Sequence, residues 1–425
     1  MITALSIIIF VVLSLWQLKI CFTNQAIIKL PYGNRQLVSL PSYEMLAIVL
    51  FATAYIGLTP VLSIRLAFLE VLCVIGLMRC HNRAIISIPM ILFIIFLLWV
   101  TVGIFYTPNK LFGFRMLLKY IYPLLIALFM AKAVHNGEIF ITSGIYSRRI
   151  ATIGIILLLI PGLKLLVGQF FWFHAAFTTS IISMAVFSFA LVEFSDTKWK
   201  NLLWGIGFCL PCLIFVYRTD IFGTAVALAT FFLVKYRIKA LPLVVIIGFL
   251  GLVSMFYIPA VKNKMFINPN VVTITDFLTN NVDENNIQTN MRKFMWEEAT
   301  KQFYDGHEIT GSGTGRVQTF FYTEATDSRK GGQLHNDFLV IKCDNGQIGF
   351  WLLIVSYIAI LVHCITLYHK CKNPYTRMAA LVAGSSLLGV FVTMYSDNTL
   401  SYSMVTLSFP WGFYGMALGL KENLG

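Results

Sequence analysis

The chain has 425 residues, of which 58% are hydrophobic and only 12% charged, with a mean hydropathy of +0.78. A soluble globular chain carries about 25% charged residues, so this composition excludes one; with apolar runs of about 15 to 25 residues it indicates a polytopic helical membrane protein. The formal charge is +13, but residues 259–340 hold 8 Lys and Arg against 10 Asp and Glu, so the positive surplus lies in the rest of the chain, where cytoplasmic loops account for it and nucleic-acid binding is not needed.

Apolar runs fall at 2–22, 44–60, 61–79, 84–106, 116–134, 150–170, 177–195, 202–217, 220–234, 240–258, 347–368, 378–394 and 403–420, which predicts an all-α bundle of about 12 to 13 spans. Residues 44–79 read either as a hairpin or as one segment broken at Thr59-Pro60. Alternating ten-residue strands are absent from the pattern, which excludes a β-barrel. The first run starts at Met1 with no small-residue cleavage site after it, so it reads as a retained span.

Basic residues recur at Arg79/Arg83, Arg148/Arg149, Lys198/Lys200, Lys235/Arg237/Lys239 and Lys370/Lys372/Arg377. With alternate spans between them all five groups share one face, the cytoplasmic one. The polar stretch 259–340 then lies outside, and Lys421 inside; the side of the N-terminus depends on the span count. This divides the chain into an N-terminal bundle 1–258, an external loop 259–340 and C-terminal spans 341–425. The eight cysteines are scattered, most in or beside apolar runs, and imply no disulfide framework. Cys209-Leu-Pro-Cys212 has redox spacing, but inside an apolar run it reads as packing.

Several cations sit on the external side of this topology. Lys110, Arg115 and Lys119 lie in the connection after 84–106, Lys164 lies deep in an apolar run, and Arg218 stands alone between two runs. A cation at membrane depth costs a few kcal/mol and is functional by default. Plainer roles exist: Lys110 and Lys119 can snorkel to headgroups, and Arg218 can pair with Asp220. Taken together, outward cations at one membrane face suit an anionic lipid headgroup. A pyrophosphate fits, since Arg forks phosphate oxygens and Lys adds point charge.

Within the loop, Met291, Phe294, Met295, Ala299 and Phe303 recur at helical spacing. They predict a helix over Asn290–Tyr304, with Asn290 as its cap and Asp305-Gly306 as its stop. Arg292 and Trp296 are one turn apart, and an Arg in a first turn opposes the helix dipole, which hints at a role beyond solvation. Gly311-x-Gly313-x-Gly315-Arg316 predicts a tight turn with exposed backbone N–H groups; without a βαβ context it is not a dinucleotide fingerprint. His335-Asn336-Asp337 opens the next span and Asn345-Gly346 punctuates it. A lone His is more often structural, but this one stands at a membrane re-entry beside the stray cations, and imidazole accepts protons near neutral pH. No HExxH, paired Cys/His spacing or Asp-x-Asp points to a metal.

The succession Arg292-x-x-x-Trp296, Gly311 to Gly315, Leu334-His335-Asn336-Asp337-Phe338-Leu339 and Asn345-Gly346-Gln-Ile-Gly349-Phe350 resembles the O-antigen ligase / O-antigen polymerase superfamily of bacterial inner-membrane glycan transferases. Arg218 resembles the family's Thr/Ser-Arg element, with Tyr217 in place of the hydroxyl residue, and Val167-Gly-Gln-Phe-Phe171 is similar in position to a family segment. The resemblance implies a GT-C-like membrane fold with its active site facing the periplasm. It implies a metal-independent, inverting glycosyltransferase without cofactors, whose donor is an undecaprenyl-pyrophosphate-linked oligosaccharide and whose partners are an acceptor glycan and a chain-length regulator. Carried over, His335 is the base toward the acceptor hydroxyl, and Arg218 and Arg292 hold the pyrophosphate; Lys110, Arg115, Lys119, Lys164, Arg316 and Asn336 are further substrate-binding candidates. A polymerase passes the glycan to another lipid-linked repeat unit, and a ligase passes it to lipid A-core. A transporter of lipid-linked glycans is the reading from another class; it would show inverted repeats and mid-membrane charges.

Overall fold

The computed structural model describes residues 2–31, 37–58, 61–82, 85–160, 162–163, 175–279, 281, 286–288, 292–324 and 333–422. In hydrocarbon every backbone polar group must be satisfied within its own segment, so long apolar runs become helices. In chain order these are α1 (Ile2–Phe22), α2 (Ser42–Thr53), α3 (Leu62–Arg79), α4 (Ile88–Tyr106), α5 (Lys110–Ala133), α6 (Gly137–Leu159), α7 (Ala175–Leu191), α8 (Lys198–Ile214), α9 (Arg218–Tyr236) and α10 (Leu241–Tyr257). After the polar loop come α12 (Asp337–Lys370), α13 (Pro374–Thr393) and α14 (Ser408–Glu422). Six of them (α1, α4, α5, α6, α12 and α13) are long and apolar enough to cross a membrane. The fold is thus that of an all-α polytopic membrane protein. Thr59-Pro60, where 44–79 was expected to divide, lies outside the described residues.

Two helix starts differ from the apolar pattern. α5 begins at Lys110, not at 116, because the Asn109 carboxamide accepts from Leu111 and Phe112 N–H (3.1 and 3.3 Å) and caps it. Lys110, Arg115 and Lys119 therefore ride on a helix rather than in a connection. α6 begins at Gly137, capped by Asn136, so Arg148 and Arg149 sit in mid-helix and not in a loop. A further departure is an antiparallel hairpin between α1 and α2, β1 (Gln25–Lys29) with β2 (Leu37–Pro41), in which Ile27 faces Ser39. Five-residue strands are too short to register among runs of span length.

α14 is the central helix. It packs on α5 and α13, while α9 packs on α13, and α4 on α12. Trp411, Phe413 and Tyr414 are buried. Close approach to α5 requires glycine at 415, where a Cβ would stand 2.1 Å from the Ala127 carbonyl oxygen. Small residues of this kind let membrane helices meet backbone to backbone.

The loop ahead of α12 contains α11 (Arg292–Ala299), which continues as a π-helical turn over Thr300–Tyr304. Gly306, with φ +83°, follows, in agreement with the expected stop at Asp305-Gly306. Asn290 and Met291 lie outside the described residues, so the expected cap is not seen. Ala299, Phe303, Val317, Phe321 and Leu334 bury themselves against Val340 and Cys343 of α12. That small apolar core ties the loop to the span that follows it.

Candidate active site

Where the chain re-enters α12, Asn336 is the helix cap: its Oδ1 accepts from the Leu339 N–H at 3.0 Å. This use of the carboxamide commits Asn336 to starting the helix. His335, just before it, adopts φ +50°, a conformation uncommon outside glycine. Its backbone N–H donates to Asn398 Oδ1 at 3.0 Å, which holds the turn.

The imidazole meets two side chains of the connection between α13 and α14. His335 Nδ1 lies 3.3 Å from Asp397 Oδ1 and 3.0 Å from Asn398 Nδ2. The Asn398 amide nitrogen also donates to Gln333 Oε1 at 2.5 Å, and the Tyr402 hydroxyl donates to the same oxygen at 3.2 Å. Burial pushes the Tyr402 phenol up to about 12, so it stays a donor at neutral pH. When Nδ1 carries a proton only Asp397 can take its hydrogen bond, because an amide nitrogen accepts none. Nε2 then presents its lone pair on the other side of the ring. An imidazole so placed can accept a proton and have the resulting charge met by Asp397.

One arginine reaches the same connection directly, and a second stands next to a threonine that does. Arg292, in the first turn of α11, donates from a guanidinium nitrogen to the Ser396 carbonyl at 2.6 Å. Burial lowers its pKa and the Asp397 carboxylate opposes that, so the cation is retained. Trp296, one turn on, donates Nε1–H to the Leu334 carbonyl at 2.6 Å and meets Tyr395 edge-on. The Arg292-x-x-x-Trp296 spacing thus braces both sides of His335. Arg218 opens α9 and donates to the Gln288 carbonyl at 3.1 Å; Thr219 beside it meets the Ser396 hydroxyl at 3.0 Å. The two guanidiniums are near enough to repel one another. A guanidinium has five N–H donors; among the described residues Arg292 spends its own on one carbonyl and Arg218 on one carbonyl and the Met265 Sδ at 3.7 Å, which leaves donors on each fork able to take an anion.

Arg218 is not paired with Asp220. That carboxylate is buried and accepts from the hydroxyls of Thr178 and Thr179, the latter at 2.5 Å. Two residues before Arg218, Val216 has φ +51°, a strained conformation for a β-branched residue; it lets the chain turn from α8 into α9 with Arg218 at the corner.

The other expected site residues divide. Arg115 and Lys119 line a small cavity of about 20 Å³ that Tyr402 also lines, so both stand one residue away from the Gln333–Asn398–His335 chain. Lys110 instead closes the end of α4: its ammonium donates to the carbonyls of Ile104, Phe105 and Thr107 at 3.0, 2.5 and 3.1 Å. Arg316 pairs with Glu324 at 2.5 Å and lies over the Phe303 ring. Lys164 and the stretch Val167–Phe171 lie outside the described residues.

The glycine cluster forms the expected tight turn, with positive φ at Gly311, Gly313 and Gly315, but its N–H groups are not exposed. Ser312 and Gly313 donate to the carbonyls of Cys343 and Asp344, and Thr314 donates to that of Gly103. Gly315 and Val317 donate to the two Asp344 carboxylate oxygens at 2.8 and 3.0 Å. The cluster fastens α4 and α12 together and leaves no nest for a phosphate.

Sequence reasoning missed Gln333, Asp397, Asn398 and Tyr402. One signal was available: Asp397 is the only acidic residue between Asp344 and Glu422, and it interrupts two apolar runs. Among the described residues no three His, Cys, Asp or Glu side chains converge in a way that could hold a metal.

Fold and site together define a multi-pass membrane protein with a His–Asp pair and two arginines gathered beside a polar loop. The family model described as O-antigen ligase matches residues 205–354, a stretch that takes in Arg218, Arg292, the glycine cluster and His335 but ends before Asp397. This match supports membership of the O-antigen ligase/polymerase superfamily, and with it a glycosyltransferase-like enzyme. Comparison with curated proteins finds no match.

Proposed function

We propose that the chain is a polysaccharide polymerase of the O-antigen type. It transfers a glycan from undecaprenyl pyrophosphate to the terminal sugar hydroxyl of another lipid-linked repeat unit, on the periplasmic face of the bacterial inner membrane. The observation that carries this reading is the meeting of His335 with Asp397 and of Arg292 with the Ser396 carbonyl, while Thr219, next to Arg218, meets the Ser396 hydroxyl; the family match takes in His335, Arg218 and Arg292. His335 Nε2 takes the proton of the acceptor hydroxyl as that oxygen bonds to the anomeric carbon. The bond from that carbon to the pyrophosphate breaks, and its electron pair leaves with the phosphate oxygen. Arg218 and Arg292 stabilise that charge. Polyprenyl pyrophosphate is already a good leaving group, so positioning and fixed donors suffice. Attack from the side opposite the leaving group inverts the anomeric centre. No metal takes part: EDTA leaves the rate unchanged, and inhibition reversed by a divalent cation would contradict this.

The second reading is a ligase that delivers the same donor glycan to lipid A-core, an activity that the description of the matched family names. The glycan profile of a strain lacking this chain separates the two. Single repeats on lipid A-core, with long chains missing and restored by the wild-type chain, mean a polymerase. Bare core with long lipid-linked polymer accumulating means a ligase. Unprocessed single repeats held on the cytoplasmic side would sink both and mean a transporter.

A further inference from the structure

A second polar feature lies at the opposite end of the bundle. A cleft of about 770 Å³ opens between α6, the first turns of α8 and the α7–α8 connection. Arg148 and Arg149 line it from mid-α6, with Ser195, Thr197 and Asn201 on the facing wall. Both arginines stand eleven and twelve residues into α6; Arg148 bonds Asn201 in the first turn of α8, which starts at Lys198, so they belong to the face that carries the basic loops. The transfer site described above is on the other face and uses none of these residues.

The braces on this arginine pair are neutral. Arg148 is half-buried, donates to Asn201 Oδ1 at 2.7 Å and lies over the Trp204 ring at 5.5 Å. Arg149 is exposed and lies over Tyr146 at 5.1 Å. Among the described residues neither has a carboxylate at ion-pair distance; Asp196 lines the cleft but is exposed at its rim. The neighbouring charge felt by Arg148 is that of Arg149, of the same sign. Two cations held side by side over a cavity, with no internal anion among the described residues, call for an anion from outside.

The surroundings say which kind. Ile153 and Trp204 line the cleft and are 50% and 38% exposed. Beyond them Ile156 on α6 and Leu203 and Ile206 on α8 also face outward. The cleft is therefore continuous with a lipid-facing apolar surface on both helices. Trp199, 77% exposed, stands at the start of α8, where aromatic rings mark the membrane interface.

We infer that this cleft binds the phosphodiester headgroup of an anionic phospholipid, with its acyl chains lying along α6 and α8. The paired guanidiniums take the phosphate oxygens, and Ser195 and Thr197 offer hydroxyls to the remainder of the headgroup. Basic pockets between membrane helices on the positive face hold such headgroups elsewhere by the same physics. Inorganic phosphate shares the chemistry but lacks the chains.

The test uses the purified full-length protein and phosphatidylglycerol, phosphatidylethanolamine and inorganic phosphate as probes, with lipid adducts read by native mass spectrometry. Phosphatidylglycerol binds the wild type and is weakened at least about tenfold in the double variant Arg148→Gln, Arg149→Gln, while phosphatidylethanolamine does not distinguish the two proteins. Unchanged phosphatidylglycerol binding in the variant would overturn the inference. So would complete displacement of the lipid by millimolar phosphate, which would assign the cleft to a soluble anion. A measurement that needs no arginine substitution is quenching of Trp204, taken as the difference between wild type and Trp204→Phe. Brominated phosphatidylglycerol quenches it more than brominated phosphatidylcholine; equal quenching contradicts the site.

Discussion

The loop meets α12 at two places, and they spend their polar groups in opposite ways. At Gly346 the chain departs from helical geometry (φ +65°), and a Cβ there would lie 2.2 Å from the Ile309 carbonyl oxygen. Beside it, Asp344 gives both carboxylate oxygens to backbone N–H groups, and Thr314 meets Asn345 Oδ1 at 2.8 Å. At His335 the side chain is 39% exposed, and among the described residues Nε2 has no hydrogen-bond partner and two arginines each keep unspent donors. A junction whose carboxylate is spent on backbone N–H groups fixes geometry. One that keeps capacity in reserve, at the edge of a membrane, is built to meet a substrate. The glycine-rich turn belongs to the first kind although its sequence is the more conspicuous, and the short Ser396-Asp397-Asn398 turn belongs to the second.

Substitutions can break or sharpen this contrast. Among the groups around His335 the largest effect falls on the arginines: Arg292→Ala lowers the transfer rate by about 10²–10³-fold, as loss of one fixed donor to a developing charge does, with melting temperature unchanged. Rates measured on purified protein check it, and a loss explained by unfolding would place Arg292 with the buttress instead. Asp397→Asn comes next. It keeps the shape but removes the acceptor for a protonated imidazole, and lowers the rate by about 10²-fold without moving the melting temperature.

Asp344→Ala acts the other way. It leaves the Gly315 and Val317 N–H groups buried without an acceptor, which costs about 2–5 kcal/mol. Melting and protein yield fall, and activity falls only with the folded fraction. Lys110→Met is the smallest: it removes an ammonium from the C-terminal end of α4, worth about 0.3–1 kcal/mol, and the rate per folded molecule stays within about twofold. A large rate loss there would return Lys110 to the substrate site.

Much of this was legible in the chain itself. Thirteen apolar runs correspond in order to thirteen helices among the described residues, and six of these have the length that bilayer thickness demands. His335, Arg218 and Arg292 stood out as an imidazole and cations at the edges of apolar runs; His335 and Arg292 bond the α13–α14 connection, and Arg218 stands next to Thr219, which touches it. Arg148 and Arg149 misled, since paired arginines read as loop; Asn201 and Trp204 supply the local partners that let them sit in mid-helix. Asp397 escaped because the turn between α13 and α14 is too short to look like more than a turn. Its meaning depends on which residue 62 positions earlier folds against it, and a linear pattern does not carry that pairing.

The most direct measurement is the initial rate of glycan transfer from a polyprenyl-pyrophosphate donor by purified His335→Ala and wild-type protein, normalised to folded protein. A rate lowered by about 10²–10⁴-fold, with equal melting temperatures, is the predicted result. Wild-type turnover by His335→Ala would contradict the assignment of the His335–Asp397 pair as the catalytic centre.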